Sequence, residues 1–500
     1  MGRAISFIAF DLGAESGRCV VGTLTDGSLK LEEVHRFPNG PVRIIDSLHW
    51  DVLRIWQEMK EAMRMCVSKY GSEIEGIGVD TWGVDFALLG RGDVLLCNPY
   101  HYRDKRTDGM IEEAFRRVPK EEIFEQTGIQ FMQINTLFQL LSMVVSGSPL
   151  LDVAETLLMM PDLFNFWLTG IKVSEFSIAT TTQFYNPREK QWAKPLLERL
   201  GIPTHFLPPI VSSGTIIGEM ISSVADDVGM PRVKIIAPAC HDTGSAVAAV
   251  PAEGDNWCYI SCGTWALMGV EIDEPIINEH SLRLNFTNEG GYGGKIRFLK
   301  NIMGLWLVQE CRRTWARQGE EHSYSELTEM ASMAQPFKAF VDPDNTIFLH
   351  PGDMPYRMSK FCQSTSQQPP ETKGEFVRCA LESLALKCRW VLDRLEELLG
   401  RKIEVVHVVG GGSRNSLLCQ FIANATHRPV VAGPVEATAA GSVMIQALTL
   451  GYVSSHDEAR RIIRHSFEMW RYEPTEFEEW EAAYERFKTI LEASERLELD

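Results

Sequence analysis

The stretch from Phe7 to Leu24, FIAFDLGAESGRCVVGTL, constrains the fold more than any other part of the chain. It is an apolar run, then Asp11, then a turn bracketed by Gly13 and Gly17, then a second apolar run. Two β-prone runs joined by a glycine-bearing turn predict a hairpin. The turn carries more chemistry than chain reversal needs. Glycine lets backbone N–H groups approach a ligand closely, and successive N–H groups with Ser16 make a concavity suited to phosphate oxygens. Asp11, closing the first strand, is placed to hold magnesium through water. Taken alone, the same residues also suit an ordinary polar hairpin turn.

The pattern returns. Trp257 to Glu271, WCYISCGTWALMGVE, is again an apolar run, a small polar turn (Cys262-Gly263-Thr264) and an apolar run. IEGIGVDTWG from Ile74 and IEVVHVVGGG from Ile403 form a second pair, each a buried-looking strand that ends in a glycine turn after a long helical segment. This internal duplication predicts two similar α/β lobes, each presenting a glycine hairpin to a shared cleft that grips one nucleotide. Neither turn fits the P-loop or the Rossmann fingerprint. A chain of 500 residues is too long for one core. The expected division is 1–250 and 251–500, broken at Pro251-Ala252-Glu253-Gly254.

Charge narrows the partners. A net charge of −18, with no basic stripe, argues against nucleic acid. ATP remains compatible, because Mg2+ and backbone N–H groups supply positive charge locally. Eleven cysteines without a C-x-x-C pair argue against structural zinc. With no apolar run of about 18 residues, no membrane span is expected, and the N-terminus reads as a strand rather than a signal peptide. The expected compartment is reducing, the cytoplasm.

Along the chain, Trp50–Tyr70 reads as an amphipathic helix feeding the strand Ile74–Asp80 and the turn Asp80-Thr81-Trp82-Gly83-Val84-Asp85. Thr127–Gly170 reads as helical and Phe176–Asn186 as β-prone. Ile235–Ala239 reads as a strand running into His241-Asp242-Thr243-Gly244 and a small-residue helix. That arrangement aims a helix N-terminus at an anion. Asp242 or Thr243 serves equally as an N-cap, while a carboxylate there also suits a general base that deprotonates a sugar hydroxyl attacking a γ-phosphorus. A helix is expected from Asn301 to Trp315, with Asn301 and Gln309 about 12 Å apart along it. Met354–Lys373 reads as an irregular surface excursion, and Phe376–Leu399 as a long helix before the strand Val405–Val409 and Gly410-Gly411-Gly412. Thr475 and Glu478 read as a capping box for a terminal helix over 475–497.

FDLGAESGR, GVDTWGVDF, YRDKRT, ATTTQ, HDTGSAVAAV, SCGTW, TNEGG, LKNIMGLWLVQE, VVGGGSRN and AGPVEATAAG together resemble the FGGY family of carbohydrate kinases, through nearly the whole chain. The resemblance implies two ribonuclease H-like domains of the actin, sugar-kinase and chaperone ATPase superfold, flanking a cleft. It is strongest toward members acting on L-rhamnulose, implying ATP-dependent phosphorylation of the 1-hydroxyl with Mg2+. By the same resemblance Asp242 is the catalytic base, and Gly83, His241, Thr243 and Asn301 contact the sugar. Ala14, Glu15, Ser16, Gly17, Arg18, Thr264, Gln309 and Gly411 form the nucleotide site, and Asp11 is the magnesium-associated carboxylate. Two departures stand at Glu15 and Cys262, where relatives often carry serine. Other ketose or polyol kinases of the family, acting on fuculose or xylulose, and an actin-like ATPase switch are the alternatives.

Overall fold

Strands Ile5–Leu12 and Ser16–Thr25 pair antiparallel from Ile5↔Leu24 to Leu12↔Gly17, which makes the first hairpin. The computed structural model describes residues 4–71 and 73–497. It is a mixed α/β structure whose chain packs into two units. The first runs up to Pro251 and adds Glu271–Phe298 and Ala437–Phe467; the second takes Ala252–Val270, Leu299–Glu436 and the segment from Glu468. Packing is therefore discontinuous in sequence, whereas the sequence pattern suggested a single break.

In the first unit, one sheet runs in the order Thr215–Glu219, Lys234–Ala237, Ile74–Thr81, Ile5–Leu12, Ser16–Thr25, Ser28–Pro38. Its central strands, Ile5–Leu12 and Ile74–Thr81, are buried at nearly every residue on both faces, as parallel strands covered by helices are. Helix Val52–Tyr70 buries Val52, Ile55, Met59, Ala62, Met63 and Cys66. Each large apolar side chain there stabilises the fold by about 1.5–3 kcal/mol. The Asp51 carboxylate accepts from Arg54 N at 3.2 Å and caps the helix.

Helix Ala437–Thr449 lies on the same sheet at close range. A Cβ on Gly22 would sit 2.6 Å from a Val443 methyl, and one on Gly78 2.8 Å from Gln446 Nε2, so these strands need bare backbone there. The same helix meets the segment after Lys234–Ala237: a Cβ on Gly441 would fall 1.8 Å from Ser245 O. That contact fixes the short helix Asp242–Ala248 against the sheet.

The second hairpin, Trp257–Cys262 and Trp265–Ile272, also forms, registered from Tyr259↔Gly269 to Cys262↔Ala266. Trp257–Cys262 pairs parallel with Val405–Val409, which follows the 27-residue helix Lys373–Leu399. A capping box between Thr372 and Glu375 starts that helix. No helix among the described residues is long and apolar enough to cross a membrane.

Several local readings change. Residues 301–303 belong to the strand Ile296–Met303, and the helix spans Trp306–Arg317, so Asn301 and Gln309 do not share a helix. Phe176–Thr180 is helical, with only Tyr185–Asn186 extended. There the Glu175 carboxylate caps Ile178 N, and Thr180, Thr181 and Thr182 each donate to the carbonyl three residues back. Thr156–Met159 is a strand inside the stretch read as helical. Met354–Ser364 is a helix capped by Asp353 that buries Met354, Met358, Phe361 and Cys362. The Thr475 hydroxyl donates to Asn424 Oδ1 at 3.2 Å, and the terminal helix begins at Phe477.

Candidate functional site

In the first unit, strand register brings the acids together. Ile5–Leu12 and Ile74–Thr81 run parallel with Asp11 opposite Asp80. Thr81 bridges to His241, and Thr81 N donates to Cys240 O at 2.9 Å. Asp11, Asp80 and the His241-Asp242 turn thus lie at the carboxyl ends of neighbouring parallel strands, the usual ligand edge of an α/β sheet. Asp80 is fully buried; its carboxylate oxygens make no close hydrogen bond, and the Ser442 hydroxyl nearby compensates them only in part. Burial, then the charges of Asp11 and Asp242, push its pKa well above the ordinary carboxylate range. Asp242 is also raised: burial dominates, His241 opposes it and Asp11 reinforces it. Its side chain is 29% exposed, so ligand can reach it. Asp242 Oδ1 accepts from Thr243 N at 2.6 Å and from Thr243 Oγ1 at 3.2 Å.

Fully buried Glu175 braces this turn. Its Oε2 accepts from Cys240 N at 3.0 Å and from Ser177 Oγ at 2.5 Å, and Ser177 Oγ in turn accepts from His241 N at 3.0 Å. Behind His241, Arg297 Nη2 lies 2.9 Å from Nδ1, and Glu289 Oε2 lies 3.3 Å from the same atom. Glu175, Glu289 and Arg297 were missed by sequence reasoning. Arg297 showed only as a charge inside the apolar run 296–299, and Glu175 and Glu289 sit in polar stretches.

Gly83 packs on Thr181, whose Oγ1 accepts from Val84 N at 3.1 Å; a Cβ at Gly83 would meet Thr181 Cγ2 at 3.2 Å. Next to it the Trp82 and Trp50 rings lie 4.0 Å apart between centroids, and His101 stacks on Trp50 at 4.2 Å. Buried Asp85 ties this wall together, accepting from Trp50 Nε1 (2.5 Å), Trp82 Nε1 (3.0 Å), Tyr102 N (3.2 Å) and Gln139 Nε2 (2.8 Å). Burial pushes Asp85 up to about 6 against those donors.

The turn Ala14 to Arg18 closes through Gly13 N donating to Ser16 O at 3.0 Å, and Asn39 Nδ2 holds Gly13 O at 2.8 Å. The Glu15 carbonyl accepts from Asn39 N at 2.9 Å. Arg18 is the cross-strand partner of Asp11 and forms an ion pair with its Oδ2. Gly17 has a packing reason of its own: a Cβ would stand 2.2 Å from the Phe37 ring.

The second unit gathers Thr264, Gln309 and Gly411. Leu305 N donates to Gly263 O (3.0 Å), Gly304 N and Trp306 N to Thr264 O (3.1 and 3.2 Å), and Gln309 N to Leu305 O (2.9 Å). A Cβ on Gly304 would meet Trp265 C at 2.6 Å, so this approach demands glycine. Gln309 Oε1 is buried without a hydrogen bond. Gly410 adopts φ +80°, and Gly412 presses on Cys262, leaving Gly411 open at the same sheet end as Thr264. Burial pushes the Cys262 thiol up to about 12. Asn301 is half-buried on its strand.

Among the described residues, no three His, Cys, Asp or Glu side chains are close enough together to hold a metal ion. Asp80, beside Asp11 and Asp242, supplies carboxyl oxygens of the kind a hydrated Mg2+ takes while keeping most of its waters.

Comparison with known proteins matches residues 6–249 to the N-terminal domain and 258–450 to the C-terminal domain of the FGGY family of carbohydrate kinases. A rhamnulokinase of Bacteroides thetaiotaomicron is 44% identical over 486 residues, 97% of this chain and 99% of that protein. A rhamnulokinase of Bacillus subtilis is 35% identical, over 97% and 99% of the two chains. Among solved structures, ligand-bound xylulose kinase of Lactobacillus acidophilus aligns with TM-score 0.81 at 17% identity, covering 98% of each chain. Plasmodium falciparum glycerol kinase with ADP aligns at 0.76 and 16%, covering 99% of each. These likenesses identify the actin and hexokinase type of fold.

Proposed function

The chain belongs to the FGGY family of carbohydrate kinases, and on that premise we propose that it transfers the γ-phosphoryl group of ATP to the 1-hydroxyl of L-rhamnulose. The rhamnulokinases that align along nearly its full length support the choice of sugar. The observation that carries the chemistry is Asp242. It is a ligand-accessible carboxylate whose affinity for a proton is raised by burial and by Asp11. A base matched in this way accepts the hydroxyl proton as the oxygen attacks phosphorus.

The remaining roles follow from donor type. His241, Thr243, Gly83 and Asn301 orient the sugar, and the Trp50–Trp82–His101 wall beside Gly83 limits water near it. Backbone N–H groups of Ala14 to Gly17, with Ser16 and Arg18, receive phosphate oxygens. Thr264, Gln309 and Gly411 bind the nucleotide; the buried, unbonded Gln309 Oε1 is an acceptor for one of its N–H or O–H groups. Asp11 and Asp80 would hold magnesium, which when bound neutralises phosphate charge. Eleven free cysteines and the need for ATP suit a cytoplasmic protein.

A panel of ketoses in a coupled ADP-release assay tests the reading. The highest kcat/KM is expected with L-rhamnulose. Faster turnover of L-fuculose or L-xylulose reassigns the substrate, and ATP hydrolysis indifferent to any sugar removes the kinase reading.

A further inference from the structure

Four side chains of the first unit form a line that ends at the proposed base. Arg297, fully buried on the strand Ile296–Met303, donates Nε to Gly290 O at 2.8 Å. Its Nη2 lies 2.9 Å from His241 Nδ1 and 3.2 Å from Glu289 Oε2. A guanidinium has donors only. The ring nitrogen it approaches must therefore present a lone pair, which leaves the imidazole proton on Nε2. Glu289 Oε2, at 3.3 Å from Nδ1, is the rival partner. A proton on Nδ1 would point into the guanidinium N–H at the shorter distance, and Glu289 already accepts from Arg297. His241 Nε2 stands 3.5 Å from Asp242 Oδ1, the oxygen that already takes both donors of Thr243.

We propose that Arg297 is a positioning residue for the reaction: it forces the His241 proton onto Nε2, where that proton steers Asp242 Oδ1 and leaves Oδ2 as the atom that accepts the hydroxyl proton. The proposal rests on Asp242 acting as base. In the step, the sugar O–H bond breaks and its proton passes to Oδ2. The oxygen's electron pair forms the new bond to the γ-phosphorus, and ADP leaves with the electrons of the broken P–O bond. Thr243 N and Oγ1 both donate to one carboxylate oxygen and His241 Nε2 stands 3.5 Å from it, so the other oxygen keeps its basicity. Other charges acting on Asp242 from neighbouring strands are Asp11, itself paired with Arg18, and Asp80. Neither donates a hydrogen bond to it. The device is a fixed tautomer, set by a cation held in place by Gly290 O and Glu289.

Nitrogen-15 NMR of the full-length protein carrying labelled histidine reads the tautomer directly. The His241 resonances are expected to show a protonated Nε2 and a bare Nδ1, and a proton on Nδ1 overturns the proposal. Arg297→Lys keeps the charge and loses the fork. It should lower kcat at saturating sugar about 10- to 100-fold, with the KM for ATP held within about twofold. Wild-type kcat in a folded Arg297→Lys protein also overturns it. If that variant does not fold, the wild-type spectrum still decides. A working Asp242→Asn enzyme would instead remove the base reading itself and leave the tautomer result standing.

Discussion

The two glycine hairpins share a backbone and differ in charge. In the first, Asp11 pairs across to Arg18 and lies opposite Asp80 on the parallel neighbour. In the second, the position one before the strand end is Ser261, which lies opposite Val409 on the corresponding neighbour. The two units thus share hairpin, parallel strand and glycine turn, while the paired acids stand in the first. Two like halves need not do like chemistry. One carries Asp11, Asp80 and Asp242 at its sheet edge, and the other presents Gly263, Thr264 and Gly411 at its own.

The largest expected effect comes from the acidic side. Asp242→Asn should lower kcat by about 10³-fold or more, while ATP affinity by equilibrium titration changes little. Loss of nucleotide binding in that variant would give Asp242 a different role and erase the contrast between the hairpins.

The turns should also differ in their tolerance of one added methyl. At Gly304 the new Cβ meets backbone, Trp265 C at 2.6 Å, whereas at Gly17 it meets a side chain, the Phe37 ring, at 2.2 Å. Gly304→Ala is expected to cost about 3 kcal/mol in denaturant unfolding, and Gly17→Ala about 1. The reverse order would mean that the first hairpin is the more rigid one.

Asp85 sharpens the comparison through pH. Its folded pKa of about 6 lies above the roughly 3.9 of a free aspartate, so the folded state binds more protons between those values. Its contribution to stability is therefore fully present below pH about 4 and is lost as pH rises through about 6. Asp85→Asn should flatten that part of the stability profile. It also sets an amide N–H2 among four donors, lowering the melting midpoint by about 5 °C. A profile as steep as wild type between pH 4 and 6 would assign the slope to another group.

Both hairpins, the helices at Val52–Tyr70 and Lys373–Leu399 and the strands before them were legible because period and turn chemistry are local. The same local rules misjudged Asn301, because pairing within the sheet extends Ile296–Met303 and the forced close contact at Gly304 delays the helix to Trp306. They also misjudged Phe176–Thr180, where one buried carboxylate outweighs the β propensity of a threonine run.

By itself the sequence determined the repeated strand–turn–strand units, the family and the identity of the acid at position 242, since these depend on residues near one another in the chain. Only the tertiary structure decided which charges meet. Glu175 and Cys240 are 65 residues apart, and His241 and Arg297 are 56 apart. Register and burial join such pairs, and the free energy of a desolvated charge depends on partners that no local pattern reveals.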